Sequence, residues 1–406
     1  MTMSMFHDYF NVAEVDKLWP DMAPAAVVLQ LDVLFGILAI LTWVHTCSLR
    51  GAWKGSALVL FLAFHTAFFE HVSLFLGGTH CHATSPVLPM ITPCSSVNSV
   101  LFYVPWIYTS IEASRRLLAA NRIHLLAFPF VVGLLQFGFG VVYEMQGPIN
   151  NFWNWPNTDT DTDTASQGVI AESLKWLGPW ENYPGLAALE DAKAQHAVAT
   201  IDASGVFSVS SHAQMALEER LFGFPVLAPY FHFAYGFAWA LALTLMLTLR
   251  NATTTTIPSL TSIVVSGLHS TLLFVVPIEL TRNLTHAIRM PYRVGVPVSL
   301  GLSLLPIVLL RNRNPSETKT KNGSSSATAE DANTSSSSST DPLLFSISFL
   351  MHAFMVSFPW RALTPTPSGL VLLVTTISTL HLAAQFYCCF IVSIPSQQSQ
   401  SQLTPS

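Results

Sequence analysis

Long apolar runs recur along this chain, and their length limits what it can fold into. A helix needs roughly 20 mostly apolar residues to cross a bilayer. Such runs lie at 25–46, 55–77, 97–113, 123–144, 225–249, 258–280, 291–310, 343–358 and 367–393. The third and eighth are short and the ninth carries many polar residues, so eight spans is the near alternative. The expected fold is all-α, a polytopic transmembrane helix bundle of about nine spans.

Composition agrees with that expectation. Charged residues make up 10% of the 406-residue chain, against about 25% in soluble domains. So few charges cannot coat a globule of this size, and the deficit is explained when much of the surface faces lipid. Membrane lipid is therefore the expected surrounding partner. The net charge of -5, with Lys and Arg scattered between apolar runs, argues against nucleic acid as a partner. The five cysteines show no CxxC pair, and no metal or other cofactor is expected from them. The first residues hold Asp8, Glu14, Asp16 and the single basic Lys17. They lack the basic start of a cleavable signal, so the first apolar run is expected to target the chain to the membrane.

The runs divide the chain into an external segment, 1–24, and a seven-helix domain, 25–310, whose long external loop covers 145–222. A Ser/Thr-rich cytosolic linker, 311–341, and a Ser/Gln-rich tail, 395–406, are expected to be disordered. Between them, 342–394 holds two further helices, a seven-plus-two arrangement in which the last pair is an extension. Within the long loop, 169–180 looks amphipathic and suited to the membrane surface.

Basic residues orient the bundle. Arg50, Lys54, Arg115, Arg116, Arg122, Arg250, Arg311, Arg313, Lys319 and Lys321 fall on one side, which the positive-inside rule makes cytosolic. The N-terminus is then outside. Arg282, Arg289 and Arg293 dissent. Of the glycosylation sequons, Asn283 is external and Asn251, Asn322 and Asn333 are cytosolic. Which membrane is meant stays open among the endoplasmic reticulum, the plasma membrane and an organelle.

Carboxylates gather in the outer half. Asp32 lies about 10 Å into the first helix, counting the rise per residue, and Glu70 lies at a similar depth in the second. Glu144 ends the fourth helix and Glu279 nearly ends the sixth. Ionisable residues in the bilayer usually face a bundle interior or a wet cavity. Asp32, Glu70, His71, Glu144 and His269 are thus the candidate catalytic set, lining one cavity in the outer half. The competing readings are headgroup contact for the helix-end acids and a satisfied hydrogen bond for Asp32 and Glu70.

His65, His232, His352 and His381 also fall within apolar runs. On one helix, Glu70 and His71 point about 140° and 120° away from His65, to opposite sides, which argues against a shared metal ion. His80 and His82 are a weak two-ligand candidate, otherwise ordinary loop histidines. Cys81 and Cys94 share an external loop, and a disulfide there would add roughly 3 kcal/mol on the chain-entropy model. The alternative is two free thiols. Cys388 and Cys389 near the cytosolic end are either palmitoylated or small core residues.

The strings FFEHVSLFLGGTHCHA (68–83), PCSSVNSVLFYVPWIYTSIEASRRL (93–117) and YEMQGPINNFWNWP (143–156) resemble an uncharacterised eukaryotic multi-pass membrane family, over roughly residues 28–310. The third string is also similar to membrane proteins of the carotenoid-hydratase type. Those carry an acid at a helix end, then glycine and an aromatic turn, here Glu144, Gly147, Phe152, Trp153 and Trp155. The chain departs from them in lacking the second glycine-rich portion and in placing Asn150 and Asn151 in the turn. This similarity implies an enzyme acting on an isoprenoid or other lipid-soluble small molecule. Hydrating a carbon–carbon double bond needs an acid still protonated near neutral pH and a carboxylate to activate water. The same residues would suit a proton-coupled transporter, and a non-catalytic receptor-like or scaffold protein also remains compatible.

Overall fold

The computed structural model describes residues 23–75, 81–83, 85–92, 95–149, 152–154, 220–221, 224–225, 228–249, 259–278, 280–281, 292–310, 340–357 and 368–392. A helix of at least 14 residues lies in each of the nine apolar runs. Helices α1 (Ala25–Arg50) and α2 (Ala52–Phe75) form a hairpin joined by Gly51 alone. Gly51 adopts φ 81°, and its N–H closes on the Cys47 carbonyl. Glycine enters that left-handed region at no steric cost. One turn later a Cβ on Gly55 would meet the Cys47 backbone nitrogen at 2.5 Å, so the two helices touch backbone to backbone. Trp43 Nε1 donates to Ser56 Oγ at 2.8 Å across the same junction.

Between α2 and α3 the described backbone holds β1 (Cys81–His82), β2 (Met90–Thr92) and β3 (Ser95–Ser96). β2 and β3 pair antiparallel and lead straight into α3 (Val97–Ala119). α3 is the central helix, with Phe102, Trp106, Ser110, Ala113 and Ser114 fully enclosed. A 3-10 turn, Leu125–Ala127, opens α4 (Phe128–Ile149). Beyond it, β4 (Trp153–Asn154) pairs antiparallel with β1 and lays Trp153 over the end of α4.

β5 (Arg220–Leu221) and β6 (Phe224–Pro225) form a third short ladder before α5 (Ala228–Leu249). Glycines let α4 and α5 come close, as small residues do in membrane bundles. A Cβ on Gly133 would meet the Phe233 ring at 2.8 Å, and one on Gly236 would meet the Gln136 side chain at 2.3 Å. The remaining helices are α6 (Leu260–Leu273), α7 (Tyr292–Leu309), α8 (Pro342–Ser357) and α9 (Ser368–Phe386), and α9 continues as a π-helical turn, Tyr387–Ile391.

One buried cluster joins Leu31 and Phe35 of α1 and Phe102 of α3 to Phe139 of α4, Met351 of α8 and Val374 of α9. The last two helices therefore pack into the same core as the first ones. The boundary of the linker also moves. Asp341, expected in the disordered 311–341 segment, is ordered and donates its N–H to the Cys389 carbonyl at 2.9 Å.

The exterior is apolar. Val33, Ile37 and Ile40 of α1, Phe64 of α2, Leu272 of α6 and Val308 of α7 are all exposed. Among the described residues five helices are long and apolar enough to cross a membrane, and Val294–Leu309 and Pro342–Ser357 are shorter apolar helices. Long helices with a greasy outside mark a membrane-embedded bundle. Arg50, Arg115 and Arg116 lie at one end of it, here called the basic end. Asp32 and Glu144 lie towards the other, the acidic end. The amphipathic 169–180 segment, Glu279 and the sequon residues Asn251, Asn283, Asn322 and Asn333 lie outside the described residues.

Candidate active site

The densest polar network sits at the basic end and joins four helices. Asp341 precedes α8 and caps it, its carboxylate accepting the Leu344 N–H at 3.1 Å. This is the ordinary role of an N-terminal aspartate, and Pro342 takes the first helical position, where no N–H is needed. The same carboxylate accepts from His45 Nε2, 3.0 Å from each oxygen, and from Arg116 Nη1 at 3.4 Å. Burial alone would push the Asp341 carboxyl up. The His45 hydrogen bond, the Leu344 N–H and the Arg116 charge outweigh it and hold the group below the ordinary carboxylate range.

Arg116 is pinned in turn by the last turn of α9. Its Nε donates to the Cys388 carbonyl at 2.9 Å and its Nη2 to the Cys389 carbonyl at 3.4 Å. The end of a helix leaves carbonyls without intrahelical donors, and a guanidinium satisfies them. Cys388 and Cys389 are themselves buried.

The bond to Asp341 fixes the His45 tautomer. An ionised carboxylate only accepts, so His45 Nε2 carries the proton and Nδ1 is left bare. Nδ1 then accepts the Tyr108 hydroxyl at 2.6 Å. The result is a chain, Asp341 to His45 to Tyr108, in which an acid orients an imidazole that in turn takes the proton of a hydroxyl. The same logic of acid, imidazole and hydroxyl activates nucleophiles and bases in many enzymes.

Tyr108 also lines a narrow cleft with a free volume of about 30 Å³, room for about two waters or for the tip of a larger molecule. Leu58 and Leu62 of α2, Ile111 of α3, Leu243 of α5 and Ile263 of α6 give it apolar walls. Its polar end is Arg50, Glu112 and Arg115. Arg115 Nε lies 2.9 Å from both Glu112 oxygens, and its Nη2 also bonds the carboxylate. Trp239 lines the cleft as well, and its buried Nε1 has no acceptor among the described residues.

No family model, curated protein or solved structure matches this chain.

The site's own chemistry therefore carries the functional reading, and it lies at the opposite end from the one expected. Asp32 is buried and accepts from Ser85 Oγ at 2.6 Å and from Asn98 Nδ2 at 2.9 Å. Ser85 Oγ also accepts the Leu88 N–H at 2.8 Å, so Asp32 ties a loop to α1 and α3. Glu144 is also buried and pairs with His232 Nε2 at 2.7 Å, while Trp153 Nε1 donates to it at 3.4 Å. Among the described residues the two acids share no partner. Phe35 packs on Phe102, Phe102 stacks on Tyr143 at 4.1 Å, and Tyr143 stacks on Trp153 at 4.0 Å. Packed rings lie between these acids among the described residues.

His269 departs from the expected set. It is exposed on α6, and its Nδ1 donates to the Val265 carbonyl of its own helix at 2.8 Å. Spacing placed it at the right depth but on the wrong face. The side chains of Glu70 and His71 lie outside the described ones. His82 is buried and stacks on Trp153 at 5.5 Å, while His80 lies outside the described residues. Among the described residues no group of three His, Cys, Asp or Glu could hold a metal ion. Cys94 is outside them too, so the Cys81–Cys94 pairing is not addressed.

His45, Tyr108, Glu112 and Asp341 escaped the sequence reading. Asp341-Pro342 directly before an apolar run is a helix-start signal, and it would have moved Asp341 out of the linker. No local signal pairs Asp341 with His45, which is 296 residues away.

Proposed function

We propose that this protein is a membrane-embedded enzyme that moves a proton on an isoprenoid or other lipid-soluble substrate whose reacting end enters the cleft. The observation that carries the reading is the Asp341–His45–Tyr108 chain, because Tyr108 is both its last member and part of the cleft lining. So narrow a space takes only the head of such a substrate, and Arg50, Glu112 and Arg115 give that head polar surroundings. Tyr108 is the catalytic group. Its oxygen takes a proton from the substrate as its own hydroxyl proton passes to His45 Nδ1, and Asp341 stabilises the imidazolium formed. Return of that proton to a different substrate atom completes an isomerisation with no co-reactant.

The same reading sets the bundle in the membrane. The basic end faces the cytosol, all nine helices cross, and the N-terminus and the 145–222 loop lie outside. The Lys and Arg distribution supports this orientation. The substrate's head then sits near the cytosolic face.

The test is a lipid and isoprenoid profile of cells lacking the protein and of the same cells given wild type or Tyr108→Phe. Wild type should clear the species that accumulates and Tyr108→Phe should not. Equal clearance by the two would sink the assignment of Tyr108.

A further inference from the structure

α8 and α9 run antiparallel through the core and carry a second polar chain that does not touch the cleft. His352 Nε2 and His381 Nδ1 are 2.6 Å apart. His352 Nδ1 lies 3.1 Å from Ser378 Oγ, and His381 Nε2 lies 3.3 Å from Gln385 Nε2. All four side chains are buried. Phe139 stands edge-on to His352 at 4.7 Å, and Gly138 of α4 lies beside the His381 ring.

Two buried polar atoms beside this chain have no partner among the described residues, Ser348 Oγ and Gln385 Oε1. Ser348 is one turn from His352 and Gln385 one turn from His381, each about 6 Å along its helix towards the basic end. Because the helices are antiparallel and the two imidazoles are bonded, both orphan atoms fall on the same side of the pair. A buried hydroxyl and amide oxygen left unpaired are costly, and an internal water is their usual partner.

We propose that His352, His381, Ser378 and Gln385, with a water held by Ser348 and Gln385, form a proton relay through the middle of the bundle. The bridge between the imidazoles accepts either direction. In one state the Gln385 amide donates to His381 Nε2, His381 Nδ1–H donates to His352 Nε2, and His352 Nδ1–H donates to Ser378. In the other, Ser378 donates to His352 Nδ1, His352 Nε2–H donates to His381 Nδ1, and His381 Nε2–H donates to the water or to Gln385 Oε1. Passing from the first to the second moves one proton from the water onto His381 Nε2, and the water takes its replacement from the basic-end side. The bridging proton moves from His381 to His352, and His352 Nδ1 gives its proton to Ser378, which releases its own hydroxyl proton towards the acidic end. One proton enters and one leaves. Neither imidazole has to hold a lasting charge, which suits a site this deep in a bilayer.

This relay stands apart from the enzyme reading, since neither histidine lines the cleft. The test uses the full chain in liposomes loaded with a pH-sensitive dye, with a potassium diffusion potential to drive protons. Wild type should acidify the vesicles several-fold faster than protein-free vesicles. His381→Gln should return the rate to the protein-free level, and Ser348→Ala, which removes only the water's anchor, should lower it at least about threefold. Each variant is first shown to match the wild-type unfolding temperature. A wild-type rate equal to protein-free vesicles, or folded His381→Gln conducting like wild type, overturns the relay.

Discussion

At the scale of single residues, Tyr108 and Asp341 make different contributions to one chain. Tyr108→Phe keeps the ring, removes the hydroxyl and leaves the His45–Asp341 bond in place. It should lower turnover by about 10²–10⁴, the usual worth of a positioned acid or base, and cost about 1–3 kcal/mol of stability because the buried His45 Nδ1 loses its donor. Asp341→Asn acts on stability as well, because Arg116, His45 and the start of α8 all lean on its charge. Losing charge-assisted bonds of this kind costs about 1.5–3 kcal/mol. The sign with pH follows from the depressed carboxyl. The folded group holds its proton less tightly than the unfolded one, so its stabilisation is complete above about pH 4 and lost as pH falls through the folded value. Unfolding curves in detergent between pH 7 and pH 3 check this. Wild type and Asp341→Asn should differ at pH 7 and converge at the acid end; a constant gap would mean that Asp341 does not titrate as described.

At the scale of elements, the apolar runs reported where helices would form, because lipid demands long stretches of one character. They reported less well what the helices do with their polar residues. α3 looked like a short span because Arg115 and Arg116 follow its apolar stretch. The helix runs on to Ala119 with those residues buried, since a central helix meets other helices on all sides and can satisfy charges there. Depth along a helix was legible for Asp32, Glu144 and His269, but the face was not, and the face decided that His269 points outward. The α1–α2 hairpin offers a clean test of element packing. Gly55→Ala would drive a Cβ into the Cys47 backbone, whereas a Cβ on Gly36 meets nothing within 4 Å. Gly55→Ala should cost about 1–3 kcal/mol by overpacking, and Gly36→Ala should be neutral or stabilising, since alanine is the better helix former. Thermal unfolding of the two variants separates these outcomes, and equal effects would contradict the backbone-to-backbone junction.

At the scale of the whole molecule, polar groups divide by depth into a tying layer and a working one. Near the acidic end, Asp32 and Glu144 hold loops and helix ends together. Near the basic end, a chain of three side chains meets an open cleft. Placing that cleft near the cytosol depends on orientation, which labelling of engineered cysteines near 160 and 325 in intact cells examines. Position 160 should react and 325 should not; the reverse pattern inverts the bundle. The most direct measurement of the chemistry follows the proton itself. The lipid that accumulates in cells lacking the protein is incubated with the purified full chain in bilayer discs made up in deuterated water. Wild type should place deuterium in that lipid, read by mass spectrometry, and Tyr108→Phe should reduce the rate by at least about a hundredfold. Deuterium entering at equal rates with both proteins, or with neither, would contradict proton transfer by Tyr108.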